Sequence, residues 1–186
     1  MASSQEHSAK VRIGNELGFH VRPVQRFAEL ARVFRAEVEV EMNGRRVPGK
    51  SVMNLMSLGG RHGDEMTITA RGEDARQCVN VLRFLAEQDF FVEDNLDTDS
   101  CTERHIDRLA TLASCFESDI HAEIDSSTVD AKEREALQEI GLSATTRPRF
   151  EIAGADAEQA RAVLENLAGH CFYIEDEMVK EGRKSG

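Results

Sequence analysis

The sequence predicts an α+β protein made of two similar domains in tandem. Each domain is expected to contain a four-stranded, mainly antiparallel sheet with about three helices on one face. Two observations support this prediction. The chain repeats itself at a fixed interval, and within each repeat the apolar residues switch between a period of two and helical spacing.

The repeat has an interval of 82 residues. Residues 20–94 align with residues 102–176 without a gap, and 22 of the 75 aligned pairs are identical. The segment GEDARQCVNVLRFLA lies opposite GADAEQARAVLENLA, and RFAELARVF lies opposite RLATLASCF. The composition turns polar at the segment LDTDS, near the end of the first copy. We therefore predict two domains, residues 1–97 and 98–186.

The first elements of the N-terminal half are a strand, a helix and a second strand. KVRI at 10–13 indicates a short strand, and apolar residues at helical spacing indicate a helix over 21–34. EVEVEM at 37–42 alternates with a period of two, which is typical of a strand with one buried face. This strand ends at Asn43 and Gly44, a residue pair that favours a tight hairpin.

The remaining elements of this half complete the predicted sheet. RRV at 45–47 is the returning strand of the hairpin, and a Pro-Gly pair closes it. SVMNLMSL at 51–58 suits a short helix capped by Ser51, with Leu55 in the core. EMTITAR at 65–71 alternates again, and residues 75–86 place one apolar stripe on a final helix.

Composition and charge exclude several classes of function. The chain is 40% hydrophobic and 31% charged, as in ordinary globular proteins. No apolar run approaches the about 18 residues of a membrane helix. The N-terminal segment MASSQEHSAK lacks the apolar centre of a signal peptide, so we expect a cytoplasmic protein. The net charge of −11 argues against general nucleic-acid binding, which depends on Lys and Arg to meet phosphates.

The four cysteines give no sign of a metal site. They form no CxxC pair and match no zinc-binding spacing. In a cytoplasmic chain they are expected to be reduced thiols. No metal or cofactor is therefore expected from Cys78, Cys101, Cys115 and Cys171.

The segment ELGFHVRP at 16–23 carries the strongest chemical signal. Gly18 permits a tight bend, after which His20 falls at the expected N-cap of a helix, with Arg22 two residues on. A helix N-terminus with a neighbouring Arg favours an anion such as phosphate. A neutral imidazole is also a nucleophile. The simpler interpretation is a polar surface cap, and these residues alone leave both interpretations open.

Two longer segments add a resemblance. NELGFHVRPVQRFAELARVF and GKSVMNLMSLGGRHGDEMTITARGEDA together resemble the histidine-containing phosphocarrier (HPr) family of the bacterial phosphotransferase system. The resemblance covers residues 9–90 in the family's order and spacing. It implies an open-faced α/β sandwich with βαββαβα order, in agreement with the elements predicted above.

The resemblance also implies roles for individual residues. His20 would accept a phosphoryl group on Nδ1 from enzyme I, charged by phosphoenolpyruvate, and pass it to a downstream acceptor protein. Arg22 would stabilise the phosphate through charge-assisted hydrogen bonds. Such a protein is a carrier and a substrate of its partners more than an enzyme in its own right.

Ser51 matches the family's regulatory serine, which an HPr kinase/phosphorylase phosphorylates; as a residue it is also an ordinary N-cap. Around it, several apolar side chains could form the surface that docks partner proteins, although some of them could belong to the core. This candidate partner-binding surface consists of Val21, Val52, Met53 and Met56.

The second half keeps the predicted core positions and changes the site. At an interval of 82, His20 becomes Thr102 and Ser51 becomes Glu133, while Arg22 is retained as Arg104. We expect a degenerate HPr-like copy that lacks the active-site histidine. It could serve as a structural or docking module, or Glu133 could imitate a phosphorylated serine.

Two functions of different classes follow. The first is a phosphocarrier that uses His20. The alternative is a regulatory interaction module, signalling through Ser51 phosphorylation or the acidic second repeat, with little role in sugar transport.

Overall fold

The computed structural model describes residues 5–91, 98–143 and 146–168. The chain divides into two compact units, Met1–Asp94 and Asn95–Gly186. No helix in the described ranges is long and apolar enough to cross a membrane.

Residues 5–91, the described part of the first unit, contain four strands and three α-helices, followed by a short 3₁₀ turn. The predicted strands at 37–42 and 65–71 are confirmed at their exact bounds, and the first strand is longer than predicted. In chain order the elements are β1 (Glu6–Arg12), α1 (Val21–Val33), β2 (Glu37–Met42), β3 (Arg45–Pro48), α2 (Val52–Met56), β4 (Glu65–Arg71), α3 (Ala75–Glu87) and the 3₁₀ turn Asp89–Phe91.

All strand pairs of this unit are antiparallel, in the order β1-β4-β2-β3. The hairpin between β2 and β3 turns at Asn43 and Gly44, whose φ angles are +52° and +73°. Both central residues have positive φ, as in the tight turn that the Asn-Gly pair predicts. The α+β architecture expected for this half is thereby confirmed.

The helices pack on one face of the sheet, and the alternation of β2 and β4 decides which face. Their inward side chains are buried, because every second residue of a strand points to the same side, and α3 contacts β1 and β4 of this sheet. The buried strand residues on this face are Val38, Val40, Met42, Met66, Ile68 and Ala70.

The opposite face of the sheet is polar and carries ion pairs between neighbouring strands. Lys10 Nζ lies 2.8 Å from Glu65 Oε1, and Arg71 Nη1 lies 2.7 Å from Glu39 Oε2. These side chains are partly to largely exposed, so each pair contributes little to stability. The face therefore remains open to solvent.

The second unit presents the same order of elements from its first helix onward. They are α4 (Thr98–Ala113), β5 (Asp119–Ile124), β6 (Ser127–Asp130), α5 (Arg134–Glu139), β7 (Arg149–Ala153) and α6 (Ala157–Ala168). The strands form an antiparallel sheet in the order β6-β5-β7. This order equals that of β3, β2 and β4 in the first unit.

A buried carboxylate makes the same hydrogen bonds in both units. Asp74 accepts from the backbone N–H groups of Arg35 and Ala36, at 2.7 and 2.8 Å. Asp156 lies 82 positions later and accepts from the N–H groups of residues 117–118, at 2.8 and 2.9 Å. In each unit the carboxylate ties the start of the last helix to the chain that follows the first helix.

A lysine repeats in the same way. Lys50 Nζ donates to the carbonyl oxygen of Phe34 at 2.6 Å, and Lys132 Nζ donates to that of Phe116 at 3.0 Å. Both lysines follow the hairpin of their unit, and both carbonyls lie just past the first helix. Residues that are 82 positions apart in the sequence thus make equivalent contacts in the two units.

The expectation of four strands in the second half is met only in part. Three strands are described there. At the 82-residue interval, the segment equivalent to β1 is residues 88–94. It includes the 3₁₀ turn Asp89–Phe91, where φ lies between +50° and +59°. Such angles are incompatible with an extended strand. Residues 92–97 lie outside the described ranges.

We predict that Asp74→Ala lowers the free energy of unfolding of the first unit by about 1–3 kcal/mol, because two backbone N–H groups lose their acceptor, one of them fully buried. Urea unfolding followed by circular dichroism measures the loss. The matched control is Glu73→Ala, an exposed neighbour expected to stay within about 0.5 kcal/mol of the wild type. Equal losses in the two variants would contradict the assigned role.

Candidate functional site

The candidate site begins at the turn that precedes α1. Gly18 has a φ of +71°, and its N–H donates to the carbonyl oxygen of Asn15 at 2.8 Å. The N–H of Leu17 donates to Oδ1 of Asn15 at 3.0 Å. A Cβ atom on residue 18 would lie 2.6 Å from the carbonyl oxygen of Gly60 and 2.9 Å from Cα of Arg61. Both the backbone conformation and the close approach therefore require glycine here.

Phe19 fixes the chain immediately before the histidine. Its N–H donates to the carbonyl oxygen of Gly60 at 2.9 Å. Its ring is 3% exposed and lies 6.0 Å from the ring of Phe27 and 5.2 Å from that of Phe90, between centroids. A backbone hydrogen bond and an aromatic cluster thus hold the residue next to His20.

His20 is the N-cap of α1, as predicted from the sequence. Its backbone is extended, with φ −84° and ψ −171°, and its carbonyl oxygen accepts from the N–H of Val24 at 3.0 Å. Its side chain makes no capping hydrogen bond. The imidazole is therefore not engaged in capping the helix, which is the usual structural role of an N-cap side chain.

The two ring nitrogens of His20 differ in their surroundings. Nε2 is buried and has no hydrogen-bond partner, whereas Nδ1, which also makes no hydrogen bond with the described residues, is not fully buried. The N–H groups of a helix's first turn have no partner inside the helix and carry part of its positive dipole. Pro23 occupies this turn, where a missing N–H costs little. The accessible nitrogen is thus combined with a helix N-terminus that favours negative charge.

Arg22 lies in the same turn and is exposed. Arg22 also interacts noncovalently with another residue of the chain. A guanidinium at this position brings one positive charge to the helix start, and its forked donors suit a phosphate. The structure therefore brings His20 and Arg22 together on one turn.

The loop between α2 and β4 supports the turn from the other side. Oδ2 of Asp64 accepts from the N–H of Arg61 at 2.9 Å and from Nδ2 of Asn43 at 3.1 Å. These two hydrogen bonds hold the pKa of the Asp64 carboxyl below its usual value. Nδ1 of His62 lies 2.9 Å from the carbonyl oxygen of Gly14. The loop, including the carbonyl of residue 60 that meets Phe19, is thereby fixed.

The predicted partner-binding residues are exposed to different degrees. Met53 is 80% exposed, Val21 48% and Met56 41%, whereas Val52 is half-buried. Leu55, on the opposite side of α2, is fully buried as predicted. These exposures leave three of the four side chains available to a partner.

Leu17 is a further exposed apolar residue, and the sequence interpretation missed it. Its side chain is 70% exposed, three residues before His20, and its backbone is held by Asn15. An apolar residue between the Asn and the Gly of a tight turn has few core neighbours to cover it. The position of Leu17 between Asn15 and Gly18 was therefore the sequence signal that could have indicated its exposure. We use the term apolar surface for Leu17, Val21, Met53 and Met56.

Ser51 does not lie at the histidine site. It is the N-cap of α2, and its Oγ accepts from the N–H of Asn54 at 3.4 Å. The preceding Lys50 binds the carbonyl of Phe34 at the C-terminal end of α1, whereas His20 lies at the N-terminal end. A helix of this length spans about 20 Å. Ser51 therefore follows a residue bound near the C-terminal end of α1, whereas His20 lies at its N-terminal end.

The equivalent positions of the second unit are built differently. Helix α4 begins at Thr98, so position 102 lies inside the helix and not at its start. His105 is also inside α4 and is 6% exposed. Glu133 is the N-cap of α5 but, unlike Ser51, makes no capping hydrogen bond with its side chain. The arrangement around His20 has no counterpart in the described residues of this unit.

The described residues offer no metal centre, since they contain no group of three or more His, Cys, Asp or Glu side chains arranged to hold an ion. Cys78 is buried and Cys115 is half-buried. Burial raises the pKa of the Cys78 thiol well above its ordinary value. That thiol therefore stays protonated and unreactive in the folded unit.

Comparison with known proteins places this site in a recognisable context. Residues 7–88 match the family described as "PTS HPr component phosphorylation site". The chain is 35% identical over 82 residues to a phosphocarrier protein HPr of Vibrio cholerae, a match that covers 44% of this chain and 96% of that protein. It is 41% identical over 66 residues to a multiphosphoryl transfer protein of Xanthomonas campestris, covering 36% of this chain and only 8% of that protein.

Among solved structures, HPr-C-His from Thermoanaerobacter tengcongensis is 32% identical. The match covers 47% of this chain and 98% of that one, with a TM-score of 0.45.

We predict that Gly18→Ala destabilises the first unit more than Gly63→Ala does. Both glycines have positive φ, so each substitution costs about 1–2 kcal/mol of backbone strain. A Cβ on residue 63 meets nothing within 4 Å, whereas one on residue 18 meets backbone atoms. That collision adds about 1–3 kcal/mol.

The two unfolding free energies, measured in urea, give the difference directly. A Gly18→Ala variant as stable as Gly63→Ala would show that the close approach to Gly60 carries no energetic weight.

Proposed function

The chain belongs to the HPr family through its first unit, and we propose on that basis that His20 accepts a phosphoryl group from phosphoenolpyruvate-charged enzyme I and passes it to a downstream acceptor protein. The observation that carries the proposal is the environment of the imidazole. One ring nitrogen is buried, and the other makes no hydrogen bond with the described residues and lies at a helix N-terminus that also carries Arg22. The protein is accordingly a carrier component of the phosphotransferase system.

The transfer uses the lone pair of Nδ1. The imidazole must be in the tautomer that carries its proton on Nε2, since a protonated Nδ1 has no lone pair to donate. Nδ1 of His20 attacks the phosphorus, a new N–P bond forms, the bond between phosphorus and the donor breaks, and its electron pair stays with the donor. Delivery to the acceptor is the reverse step with a different partner. Positioning and charge stabilisation account for most of such catalysis.

Partners are proposed to dock on the apolar surface. Its four side chains lie on the turn before α1, at the first residue of α1 and on α2, so they flank the histidine and the neighbouring helix. Exposed apolar side chains of this size mark interaction sites more often than inert surface when they occur together. Met is suited to surfaces that fit several partners, because its side chain is flexible. Enzyme I and the acceptor would use this surface in turn.

We propose that residues 98–186 are a degenerate copy of the first domain, residues 1–97. The support is the 82-residue interval in the sequence together with the repeated contacts of Asp74 with Asp156 and of Lys50 with Lys132. The copy would lack the carrier reaction, because position 102 is a threonine within α4. A structural or docking role is the preferred one, and Glu133 as an imitation of a phosphorylated serine is the alternative.

A second candidate function is regulation through Ser51. Its hydroxyl is half-buried at the N-cap of α2, two residues before the most exposed side chain of the apolar surface, Met53. A phosphate there adds about −1.5 to −2 charges at the edge of the docking surface. An HPr kinase/phosphorylase is the proposed modifying enzyme. The protein would then act as an interaction module, with or without use of His20.

We predict that incubation with enzyme I and phosphoenolpyruvate adds one acid-labile phosphate to the wild type and none to His20→Ala, because a phosphorylated imidazole hydrolyses in acid. Intact mass before and after acid treatment measures this. The matched control is His121→Ala, which removes an exposed imidazole from β5 of the second unit and is expected to accept phosphate. An unphosphorylated wild type, beside a known carrier that the same enzyme I does phosphorylate, would overturn the carrier function.

For Ser51 we predict one acid-stable phosphate after treatment with an HPr kinase/phosphorylase and ATP, absent from Ser51→Ala. The same variant should still accept the acid-labile phosphate, since Ser51 follows a residue bound near the C-terminal end of α1 and His20 lies at its N-terminal end. Ser57→Ala is a suitable control, because Ser57 is an exposed serine at the other end of α2. Acid-stable phosphate that persists in Ser51→Ala would refute regulation at this serine.

A further inference from the structure

We propose that Arg61 is a second phosphate-binding arginine of the carrier site, contributed by the loop between α2 and β4. The inference rests on the proposed function, because it concerns the phosphorylated state of His20. It extends that site beyond the helix start and Arg22 to a residue far along the chain. Three features support it: the proximity of Arg61 to the turn before His20, the availability of its side chain and the charge of the phosphorylated site.

The first feature is proximity. Cα of Arg61 lies 2.9 Å from the position that a Cβ on Gly18 would occupy, and the preceding carbonyl oxygen accepts the N–H of Phe19 at 2.9 Å. The backbone of the loop is therefore in contact with the turn that leads into His20. Two residues span at most about 7 Å of extended chain. The long side chain of an arginine can reach across this interval.

The second feature is a fixed backbone beneath an available side chain. The N–H of Arg61 is bound by Oδ2 of Asp64, and its carbonyl oxygen accepts from the N–H of Asp64 at 3.1 Å. The side chain itself is exposed and makes no hydrogen bond or ion pair with the residues that the structure describes. The backbone of Arg61 is thus held near the site, while its guanidinium remains available to bind a phosphate.

Asp64 is the nearest competing anion, and its position weakens the competition. Its Oδ2 already accepts from the backbone N–H of Arg61 and from Nδ2 of Asn43. The pKa of the Asp64 carboxyl is lowered mainly by these hydrogen bonds. The charge of Arg61 also lowers it, but this effect is smaller than theirs and smaller than the opposing effect of desolvation. A phosphoryl group offers three strong acceptor oxygens and more charge, so it is the better partner for the guanidinium.

The third feature is the charge balance of the phosphorylated site. A phosphorylated side chain carries about −1.5 to −2 charges near neutral pH. The helix N-terminus supplies an equivalent of about +0.5 charge, and Arg22 supplies one full charge. These two contributions offset about 1.5 charges, so up to about half a negative charge remains for a second guanidinium to offset. The sequence signal GGRHGD gives no hint of this role, because it depends on the contact between residues 18 and 61.

The test is a phosphorus-31 NMR titration of the phosphorylated full chain, prepared with enzyme I and phosphoenolpyruvate. A nearby cation favours the more negative form of a phosphate and so lowers the titration midpoint of the phosphoryl group. We expect Arg61→Gln to raise that midpoint by about 0.2–0.7 pH units, as for the loss of an exposed ion pair. Arg61→Lys should restore most of the difference, and 1 M salt should reduce it.

The matched control is Arg76→Gln, which removes an exposed charge from α3. The start of α3 is tied by Asp74 to the chain that follows α1, at the end of the unit away from His20. Its midpoint should equal that of the wild type. Equal midpoints for wild type and Arg61→Gln, with phosphate present on both, would overturn the role of Arg61 and leave the carrier function intact. A wild type that takes up no phosphate would overturn both.

Discussion

The contact between Gly18 and the loop at Gly60 is the constraint on which the candidate site depends. It brings two segments more than 40 positions apart in the sequence into van der Waals contact, and only a residue without Cβ fits there. The adjacent hydrogen bond from Phe19 ends one residue before the histidine. Because both partners are backbone groups, the location of the imidazole is set by the path of the chain and not by its own side-chain contacts.

The strands and the hairpin were predictable because their signals are local. EVEVEM and EMTITAR alternate strictly, and Asn43 with Gly44 adopts the positive φ angles that this turn needs. The N-cap position of His20 was predictable for the same reason, since a glycine and a proline bracket the start of a helix.

Features that depend on contacts between distant segments were not predictable. The exposure of Leu17 depends on the absence of a neighbour, and the approach of Arg61 to the turn depends on how β1 and β4 pair. The difference between Val52 and Met53 depends on which face of α2 meets the core, and five residues are too few for periodicity to decide this. The turn at residues 89–91, with its positive φ angles, was also not predictable, because it depends on the packing of Phe90 against Phe19.

The two units differ in what they preserve. Contacts that hold the scaffold, such as those of Asp74 and Asp156, recur at equivalent places with nearly equal distances. Around the helix start, by contrast, His20 and Pro23 do not recur, although Arg22 is retained as Arg104. A buried carboxylate that satisfies two N–H groups is costly to lose, whereas an exposed site can change without loss of stability. Stability alone is sufficient to explain this division.

The early start of α4 makes the difference between the units hard to reverse. In the first unit the imidazole stands where a helix begins, so unpaired N–H groups surround it. In the second unit the helix already runs through the equivalent position, and the following N–H groups are turned toward carbonyls one turn back. A histidine introduced at residue 102 would therefore lie within a helix and not at its N-terminus. In evolution, the loss of the site from the second unit is therefore hard to reverse, because a carrier there would require a new helix boundary as well as a new side chain.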